Sequence, residues 1–510
     1  MCFALCGIAG IWGKSDSLIL DSMLEEISHR GPDGQGIIVR DGFSLGHNRL
    51  SIIDVGGGKQ PMTNEDETLR LVFNGEIYNY NKIKKGLKGH DFKTNSDSEV
   101  ILHLFEEEGK DVVKKLDGMF AFAICSNKDL FIARDPLGIK PLYYGYGDDK
   151  LYFSSEIKSL LKATKDVNEF PAGHYYSSNH GFKKYYGLPK IPNKFSTNID
   201  KITTSIRKNL EEAVVKRLIS DVPLGVFLSE GLDSSIISAI AKINTYGILH
   251  SFAVGTPQSA DILHSEEISK FLGTKHHTFE YGKKEIIEVL PEVIYCLESF
   301  DPALVRSAIP TYFVSRLAHE YVKVVLSGEG ADELFGGYHY LKKINNTNEE
   351  LYKELKNITG DLHNTNLQRV DRITMANSIE GRVPFLDIKL IEEASNISPE
   401  LKLYFQKFSG DFIEKWILRK VSEAYLPYNF VWRKKENFSI GSGTAKILES
   451  YAEEVILDDE FNKRYSIYDV EIKSKEELLY YKIFRQYYGF SNIFKTIGKS
   501  RSLNPGVIYN

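Results

Sequence analysis

The sequence has 510 residues, 42% of them hydrophobic and 26% charged, with a net charge of −5 and a pI near 6.3. A chain of this length is too long for one hydrophobic core, so we expect two domains. The balance of charge does not indicate nucleic acid or a membrane surface as a partner, and no apolar run approaches the roughly 18 residues of a membrane-spanning helix. The apolar opening lacks the basic start of a secretion signal, and four scattered cysteines form no disulfide framework, so we expect a cytoplasmic protein.

Residues 6–186 consist mainly of short β-type runs separated by turn signals. Helical periodicity occurs in this part only at residues 17–27 and 98–107. The pattern predicts two antiparallel sheets with flanking helices.

The first chemical signal is the run CGIAG at residues 6–10, which resembles the start of the class II glutamine amidotransferases, a group of N-terminal-nucleophile hydrolases. The resemblance implies an αββα sandwich in which the thiol of Cys6 attacks the side-chain amide of glutamine. The free α-amine of the same cysteine then serves as the base, so this cysteine must be the first residue of the mature chain.

The position of Cys6 leaves three interpretations open. Removal of Met1 alone exposes Cys2, four residues before the motif. Cys6 becomes terminal if residues 1–5 are a short propeptide or a misassigned start. Alternatively Cys2 is the nucleophile with a shifted strand, or the glutaminase is inactive.

Further motifs in this part match the amidotransferases in order and spacing. By this resemblance Arg49 holds the α-carboxylate of glutamine, because its planar guanidinium forms a bidentate pair. The Asn74 side chain and the Gly75 N–H form the oxyanion hole, while Glu76 and Asp97 bind the α-ammonium. The predicted glutamine-binding residues are Arg49, Leu50, Ser51, Ile52, Ile53, Asn74, Gly75, Glu76 and Asp97.

Residues 187–200 are rich in proline and polar residues and are predicted to link the domains. From residue 201 the period becomes helical, and predicted strands at 222–228, 249–255, 278–281 and 323–326 alternate with helices. This alternation predicts a doubly wound parallel sheet whose ligand binds at the carboxyl ends of the strands. The predicted domains are therefore residues 6–186 and 201–510.

Two strand–turn–helix segments carry the chemistry of the second domain. Backbone N–H groups at such a helix start bind anions, and no Gly-Lys-Ser/Thr follows the glycines, which argues against the common phosphate loop. Asp233 and Asp332 could share one metal ion. SEGLDSS at 229–235 resembles the pyrophosphate loop of ATP pyrophosphatases, and LSGEGADELFGGY at 326–338 resembles a signature of asparagine synthetases. Glu230 departs from the usual glycine, and its carboxylate would repel phosphates unless it turns away.

The resemblance implies roles for several residues of this domain. Leu228 and Val254 would frame the adenine, Lys435 in the late basic loop would meet the phosphates, and Glu329 would help form the acyl-adenylate. Residues 379–387 resemble a helix and turn of the family. The predicted ATP-binding residues are Leu228, Ser229, Gly231, Asp233, Ser234, Val254, Ser327, Gly328 and Lys435, and Mg²⁺ would lie on Asp233 and Asp332.

The resemblance implies an enzyme that activates the β-carboxylate of aspartate with ATP and amidates it with ammonia from glutamine. One alternative keeps this chemistry for another acceptor, such as a sugar acid, a peptide carboxylate or an intramolecular closure. A second alternative is a non-catalytic nucleotide or glutamine sensor, suggested by Glu230 and the displaced cysteine. The expected partners are small molecules, and a homodimer is possible in this family.

Overall fold

The computed structural model describes residues 6–344, 347–433, 441–463, 471–489 and 492–501. Its strands are β1 Gly7–Trp12, β2 Gly34–Arg40, β3 Phe43–Arg49, β4 Met62–Thr63, β5 Arg70–Ile77, β6 Gly118–Cys125, β7 Leu130–Arg134, β8 Tyr143–Gly147, β9 Lys150–Ser154, β10 Asn168–Glu169, β11 His174–Ser177, β12 Gly181–Lys184, β13 Leu224–Phe227, β14 His250–Gly255, β15 Lys275–Glu280, β16 Val324–Leu326, β17 Glu380–Arg382, β18 Tyr404–Gln406 and β19 Asp411–Ile413.

The helices follow the same chain order. They are α1 Ser17–Glu26, α2 Tyr80–Gly86, α3 Glu99–Glu108, α4 Ile157–Leu160, α5 Ile199–Lys216, α6 Leu232–Ile243, α7 Ala260–Leu272, α8 Lys283–Leu297, α9 Pro302–His319, α10 Ala331–Phe335, α11 Leu341–Ile344, α12 Asn348–Gly360, α13 Asn366–Ala376, α14 Ile388–Asn396, α15 Pro399–Lys402, α16 Trp416–Ser422, α17 Tyr428–Val431, α18 Thr444–Val455, α19 Asp458–Asn462 and α20 Lys475–Tyr488.

The N-terminal part is an αββα sandwich, as predicted. Its two antiparallel sheets have the strand orders β10-β8-β9-β1-β3-β2 and β12-β11-β7-β6-β5-β4. Alternate residues point inward, so Leu45 of the first sheet packs against Val72 and Ala121 of the second. On the outer faces, α1 packs against β1 and α3 packs against β6. Strand β6 is buried along almost its whole length because it is covered on both faces.

The C-terminal part contains a parallel sheet in the order β15-β14-β13-β16-β17, again as predicted. Helices cover both of its faces, with α8 and α9 on one side and α5 and α6 on the other. Strands β13 and β16 are neighbours in the sheet although about 100 residues separate them along the chain. The intervening segment contains helices that cross the faces of the sheet. The carboxyl ends of β13 and β16 therefore meet at one edge of the sheet.

Two details of the prediction need correction. The linker ends earlier than predicted, because the Asn198 side chain accepts a hydrogen bond from Lys201 N and starts α5 at Ile199. Residues 380–382, predicted as part of a helix, form the strand β17 beside β16. Pairing with a buried strand outweighs local helical preference here.

Among the residues described above, none of the helices combines the length and apolar character that a membrane crossing requires.

Candidate active sites

The two predicted nucleotide loops meet at the carboxyl ends of β13 and β16. In the first loop Ser234 Oγ accepts a hydrogen bond from Ser229 N at 3.1 Å and lies 2.9 Å from Ser229 Oγ, which closes the turn at the start of α6. Gly328 of the second loop approaches so closely that a Cβ there would lie 2.8 Å from Asp233 Cβ and 2.9 Å from Ser234 N. Glycine is thus required for the two loops to touch.

A cavity of about 310 Å³ opens between these loops. It is lined by Glu329, Asp332 and all but one of the predicted ATP-binding residues, namely Leu228, Ser229, Gly231, Asp233, Ser234, Val254, Ser327 and Gly328. The remaining predicted residue, Lys435, lies outside the described residues. The structure therefore brings together residues that the sequence could connect only through resemblance.

The two carboxylates predicted to share a metal ion share a cation in the structure, namely the ammonium of Lys415. Its Nζ lies 2.5 Å from Asp233 Oδ2 and 2.7 Å from Asp332 Oδ1. Burial would lower the pKa of Lys415, but the two carboxylates outweigh this effect and raise it. Asp233 Oδ1 is buried and has no hydrogen-bond partner within the described residues, so this carboxylate keeps a free oxygen for Mg²⁺. The donor set fits a magnesium ion.

Glu230 is turned toward the neighbouring helix α7. Its backbone N–H donates to Asp261 Oδ1 at 3.0 Å, and its Oε2 lies 4.0 Å from His264 Nε2. The side chain is 9% exposed on the cavity wall. The imidazole beside it offers a partner for the charge that phosphates would otherwise repel.

Glu329 lies farther along the cavity, in an ion pair with Arg369. Arg369 also donates to Thr311 Oγ1 at 2.7 Å, so the guanidinium is held by α9. Burial, and next to it the charge of Asp332, raises the pKa of Glu333 to about 7. This end of the cavity thus presents groups of both signs, as the recognition of an amino acid requires.

Cys6 lies at the start of β1 in the N-terminal domain, buried beside β3. Its Sγ lies 3.7 Å from the carbonyl oxygen of Leu50, a predicted glutamine-binding residue. Burial raises the pKa of the Cys6 thiol to about 12. A thiol that ionises with such difficulty needs a base in direct contact in order to act as a nucleophile.

The predicted oxyanion hole lies on β5, in the sheet that faces Cys6. Both polar atoms of the Asn74 amide are buried without a hydrogen-bond partner among the described residues. Gly75 has φ +155°, and a Cβ there would lie 2.1 Å from Met119 O on β6. Only glycine fits that backbone, and the unpaired polar atoms of the Asn74 amide beside it could bind a ligand.

Glu76 and Asp97 form the predicted ammonium site. Ile77 N donates to Asp97 Oδ2 at 2.8 Å, which holds this carboxylate beside β5. Burial, followed by the charge of Asp97, raises the pKa of Glu76, and burial raises the pKa of Asp97 to about 7. The same two charged residues, Lys140 and Glu380, influence the pKa of both Glu76 and Cys6.

Arg49 completes this group from the end of β3. Its Nη2 donates to Asp54 O at 2.7 Å and its Nη1 donates to Val55 O at 3.2 Å, so its own loop holds the guanidinium. A Cβ on Gly58 would lie 2.9 Å from Ser96 Oγ and 3.1 Å from Arg49 Nη2, which places Arg49 next to the Asp97 loop.

The other residues predicted to follow Arg49 in the glutamine site are buried at the interface of the two domains. The side chains that pack against Val324 and Met375 of the second domain are those of Leu50, Ile52 and Ile53. Ser51 N donates to Asp33 Oδ2 at 2.7 Å. These four residues shape the site through packing and backbone groups.

Sequence reasoning missed the residues that join the two sites. Arg30, with 0% exposure, donates to Cys6 O at 3.2 Å, to Glu156 Oε1 at 2.6 Å and to Asp371 Oδ1 at 2.8 Å. Asp371 belongs to α13 of the second domain, so one guanidinium connects the two domains next to the predicted nucleophile.

Arg382 of the second domain is bonded to Glu76 of the first domain. Its Nη2 donates to Glu76 Oε2 at 2.9 Å and its Nε donates to Glu380 Oε1 at 2.6 Å. Arg382 lies in the segment 379–387 that resembles the family, but no local pattern gives its partners. Nor does a local pattern show the burial of Arg30 and Lys415, because a charged residue is ordinarily exposed until the fold buries it.

Comparisons with known proteins agree with the division into two sites. The family model described as glutamine amidotransferase domain matches residues 5–211, and the model described as asparagine synthase matches residues 205–359 and 345–491. The chain is 38% identical over 512 residues to a glutamine-hydrolysing asparagine synthetase of Brassica oleracea, covering 95% of this chain and 86% of the relative. Arabidopsis thaliana asparagine synthetase 1 is 38% identical, with 95% and 87% covered. A probable glutamine-hydrolysing asparagine synthetase of Dictyostelium discoideum is also 38% identical, with 97% and 95% covered.

Proposed function

The chain belongs to the asparagine synthetase family, and we propose that it converts aspartate to asparagine with glutamine as nitrogen donor and ATP as co-substrate. The products would be AMP, pyrophosphate and glutamate. The observation that carries the proposal is the convergence of two loops, on adjacent parallel strands, on one cavity where Asp233 and Asp332 share a cation. Its position at the strands' carboxyl ends is where α/β sheets bind their ligands.

The synthetase reaction begins with a carboxylate that is a poor electrophile. ATP adenylates the aspartate β-carboxylate, which gives β-aspartyl-AMP and provides the leaving group. The backbone N–H groups in the first turn of α6, residues 232–234, would receive the phosphates, because those of Ser229, Glu230 and Gly231 are already bonded to side chains. Asp233 and Asp332 would hold Mg²⁺, which when bound neutralises phosphate charge as pyrophosphate leaves. Glu329 faces the same cavity and would act on the adenylate.

The glutaminase reaction supplies the ammonia. The Cys6 thiol attacks the side-chain amide, and the Asn74 amide and Gly75 N–H stabilise the resulting oxyanion. The α-amine of Cys6 would serve as the adjacent base, which requires removal of residues 1–5. Glu76 and Asp97 would hold the α-ammonium of glutamine.

Ammonia must then reach the adenylate without becoming protonated in bulk water, so we infer an enclosed route between the domains. Leu50 and Ile52 pack against Val324 and Met375 at the interface, which provides an apolar contact between the two sites. Arg30 holds the carbonyl of the nucleophile to α13.

The deciding experiment is pyrophosphate release with Mg-ATP and ammonia, with aspartate as the first acceptor tested. Ammonia bypasses the N-terminal cysteine, so the result concerns the synthetase domain alone. We expect asparagine and pyrophosphate in equal amounts. Release with a sugar acid or a peptide carboxylate but not with aspartate would transfer the proposal to that acceptor. No pyrophosphate release with any acceptor would favour a non-catalytic sensor. Glu230→Gly would then test whether the glutamate in the phosphate loop is the cause.

Cys6→Ala tests whether the glutaminase and synthetase activities belong to separate domains. It should abolish glutamine-dependent synthesis while ammonia-dependent synthesis continues at the wild-type rate. Loss of both activities would contradict two separable sites. Mass spectrometry of the active protein decides between Cys6 and Cys2, since Cys6 cannot be the terminal nucleophile if residues 1–5 remain.

Cytoplasmic location and a homodimer remain predictions. Cell fractionation and light scattering of the purified protein test them directly.

A further inference from the structure

Outside both active sites, two histidines and two glutamates of the N-terminal domain converge. The ligand atoms of Glu65, His90, His103 and Glu106 all lie within 4.8 Å of one another. Glu65 lies between β4 and β5, His90 in the loop after α2, and the other two residues on α3. We call these four residues the His90–His103 cluster.

The nitrogen–oxygen distances in the cluster are those of hydrogen bonds and ion pairs, and they are also short enough for the four side chains to share one cation. Glu65 Oε1 lies 3.1 Å from His90 Nδ1, and Glu65 Oε2 lies 3.3 Å from His103 Nδ1. Glu106 Oε2 lies 3.1 Å from His103 Nδ1 and 3.7 Å from His90 Nδ1. Ligands about 2.0–2.1 Å from a tetrahedral zinc ion lie roughly 3.3 Å apart, so a metal fits with small side-chain movements.

A second ring of carboxylates surrounds the two imidazoles. The remote Nε2 of His103 lies 3.7 Å from Glu99 Oε1, and the remote Nε2 of His90 lies 3.5 Å from Glu107 Oε1. Neither distance is that of a hydrogen bond, so these carboxylates add negative charge around the imidazoles without fixing the position of their protons. The added negative charge favours a cation at the cluster.

The carboxylate ligands are held as well. Asn64 Nδ2 donates to Glu106 Oε1 at 2.8 Å, and Asp91 N donates to Glu65 Oε1 at 3.0 Å. The first bond leaves Glu106 Oε2 facing the cluster, and the second leaves Glu65 Oε2 beside His103 Nδ1. Preoriented ligands from three separate segments reduce the entropy lost on binding.

Charge gives a further argument. The two histidine rings lie 4.6 Å apart, and the His103 side chain is only 2% exposed. Glu65 and Glu106 place negative charge beside both rings, and one divalent cation between them would balance that charge.

We propose that the His90–His103 cluster binds one divalent transition-metal ion, with Zn²⁺ as the best match to two imidazoles and two carboxylates. The ion would be structural, because four protein ligands leave no position for a substrate. It would tie α3 and the loop before it to the β4–β5 turn. Asp97 lies two residues before α3, so the same clamp would fix one wall of the glutamine site.

The test is a zinc titration of chelator-treated full-length protein against a competing chromophoric chelator. His90→Gln is the principal variant, because His90 is the more exposed histidine and glutamine keeps its size. His180→Gln, an exposed histidine of the same domain, is the matched control. Competition binding, the melting temperature, and the visible absorption of the Co²⁺ form are recorded for all three proteins.

We expect one tight equivalent of Zn²⁺ in wild type and in His180→Gln, with an intense tetrahedral Co²⁺ spectrum and a raised melting temperature. His90→Gln should weaken that site by at least about 100-fold and lose the temperature shift, since second-ring changes alone cost 10–100-fold. Absence of tight zinc in wild type, or equal affinity in folded His90→Gln, would overturn the proposal. Equal zinc affinity in wild type and in His90→Gln is also the result expected if zinc binds at Cys6 or at the Asp233–Asp332 pair instead.

Discussion

At the scale of single residues, burial decides which charges the two sites can use. Lys415 is 2% exposed and neutralises two carboxylates that are only partly buried. In the other domain, Asp97 is held beside Glu76 with little solvent to stabilise either anion. Negative charge is therefore concentrated at both predicted sites, where the proposed ligands, Mg²⁺ and the ammonium of glutamine, are cations.

Lys415→Met tests whether Asp233 and Asp332 share a cation site. Without the ammonium their mutual repulsion should cost about 2 kcal/mol of unfolding free energy in Mg-free buffer, a value reduced for their partial exposure. Millimolar Mg²⁺ should restore the melting temperature more in Lys415→Met than in wild type, because no ammonium competes. Calorimetry with and without Mg²⁺ measures this difference. Lys420→Met, on the exposed side of α16, is the control, and an equal Mg²⁺ effect in all three proteins would refute a shared site.

The raised pKa of Asp97 predicts a pH dependence of glutamine binding. Below its pKa of about 7 the carboxyl is protonated and cannot attract the α-ammonium, and above it the anion can. The KM for glutamine should thus fall roughly tenfold between pH 6 and pH 8, as one group of this pKa ionises. Glutamate release across this range measures it. Asp97→Asn should show a high KM without the slope, and an unchanged slope in this variant would assign the ionisation to another group.

At the scale of elements, the sites depend on how closely strands and turns approach. Gly328 lets the second loop touch the start of α6, and Gly75 lets β5 pass against β6 at the predicted oxyanion hole. A Cβ at either position would push the paired segments apart. The catalytic groups are carried by neighbouring backbone, so small shifts of these elements act directly on the chemistry.

Gly75→Ala tests this for the oxyanion hole. The new Cβ would lie 2.1 Å from Met119 O at a φ of +155°, so β5 must shift or distort. We expect glutamine-dependent synthesis to fall about 100-fold, the cost of one lost oxyanion donor, while ammonia-dependent synthesis is retained. Gly34→Ala, whose Cβ meets nothing within 4 Å, should leave both rates unchanged. Parallel loss of both rates in a folded Gly75→Ala protein would count against a local effect.

At the scale of the whole molecule, buried ion pairs join the two domains. Glu298 of the second domain accepts hydrogen bonds from Ile157 N at 3.0 Å and Lys158 N at 2.8 Å in the first, and it pairs with Arg372. Buried charges gain little stability over apolar residues, but they fix one relative position of the partners when every group is satisfied. We interpret these interdomain ion pairs as the contacts that align the glutaminase domain with the synthetase domain.

Arg30→Lys tests this alignment. A lysine keeps the charge but cannot donate in three fixed directions to Cys6 O, Glu156 and Asp371. We expect a roughly tenfold lower kcat with glutamine and more than one glutamate released per asparagine, because ammonia escapes from a loosened interface. Simultaneous assays of both products measure the ratio, with the exposed Arg40→Lys as control. A ratio of one in the variant would mean that Arg30 does not govern the coupling.

The sequence by itself predicted two antiparallel sheets with flanking helices, a parallel sheet in the second domain, and candidate residues for two sites. Apolar periodicity and turn residues are patterns of neighbouring residues, so the strands before the loops at Ser229 and Ser327 could be predicted from the sequence. The motifs also named Cys6, Asn74 and Asp233, because the chemistry demands those residue types in a fixed local order.

Only the tertiary structure decided which charged side chains are buried and which residues they contact. It placed Lys415 between the two aspartates, turned Glu230 toward His264, and brought Arg30 and Arg382 to the two ends of the glutamine site. It also assembled the His90–His103 cluster from three segments. Such contacts join residues far apart in the chain, and a side chain's burial and partners depend on packing that no local pattern records.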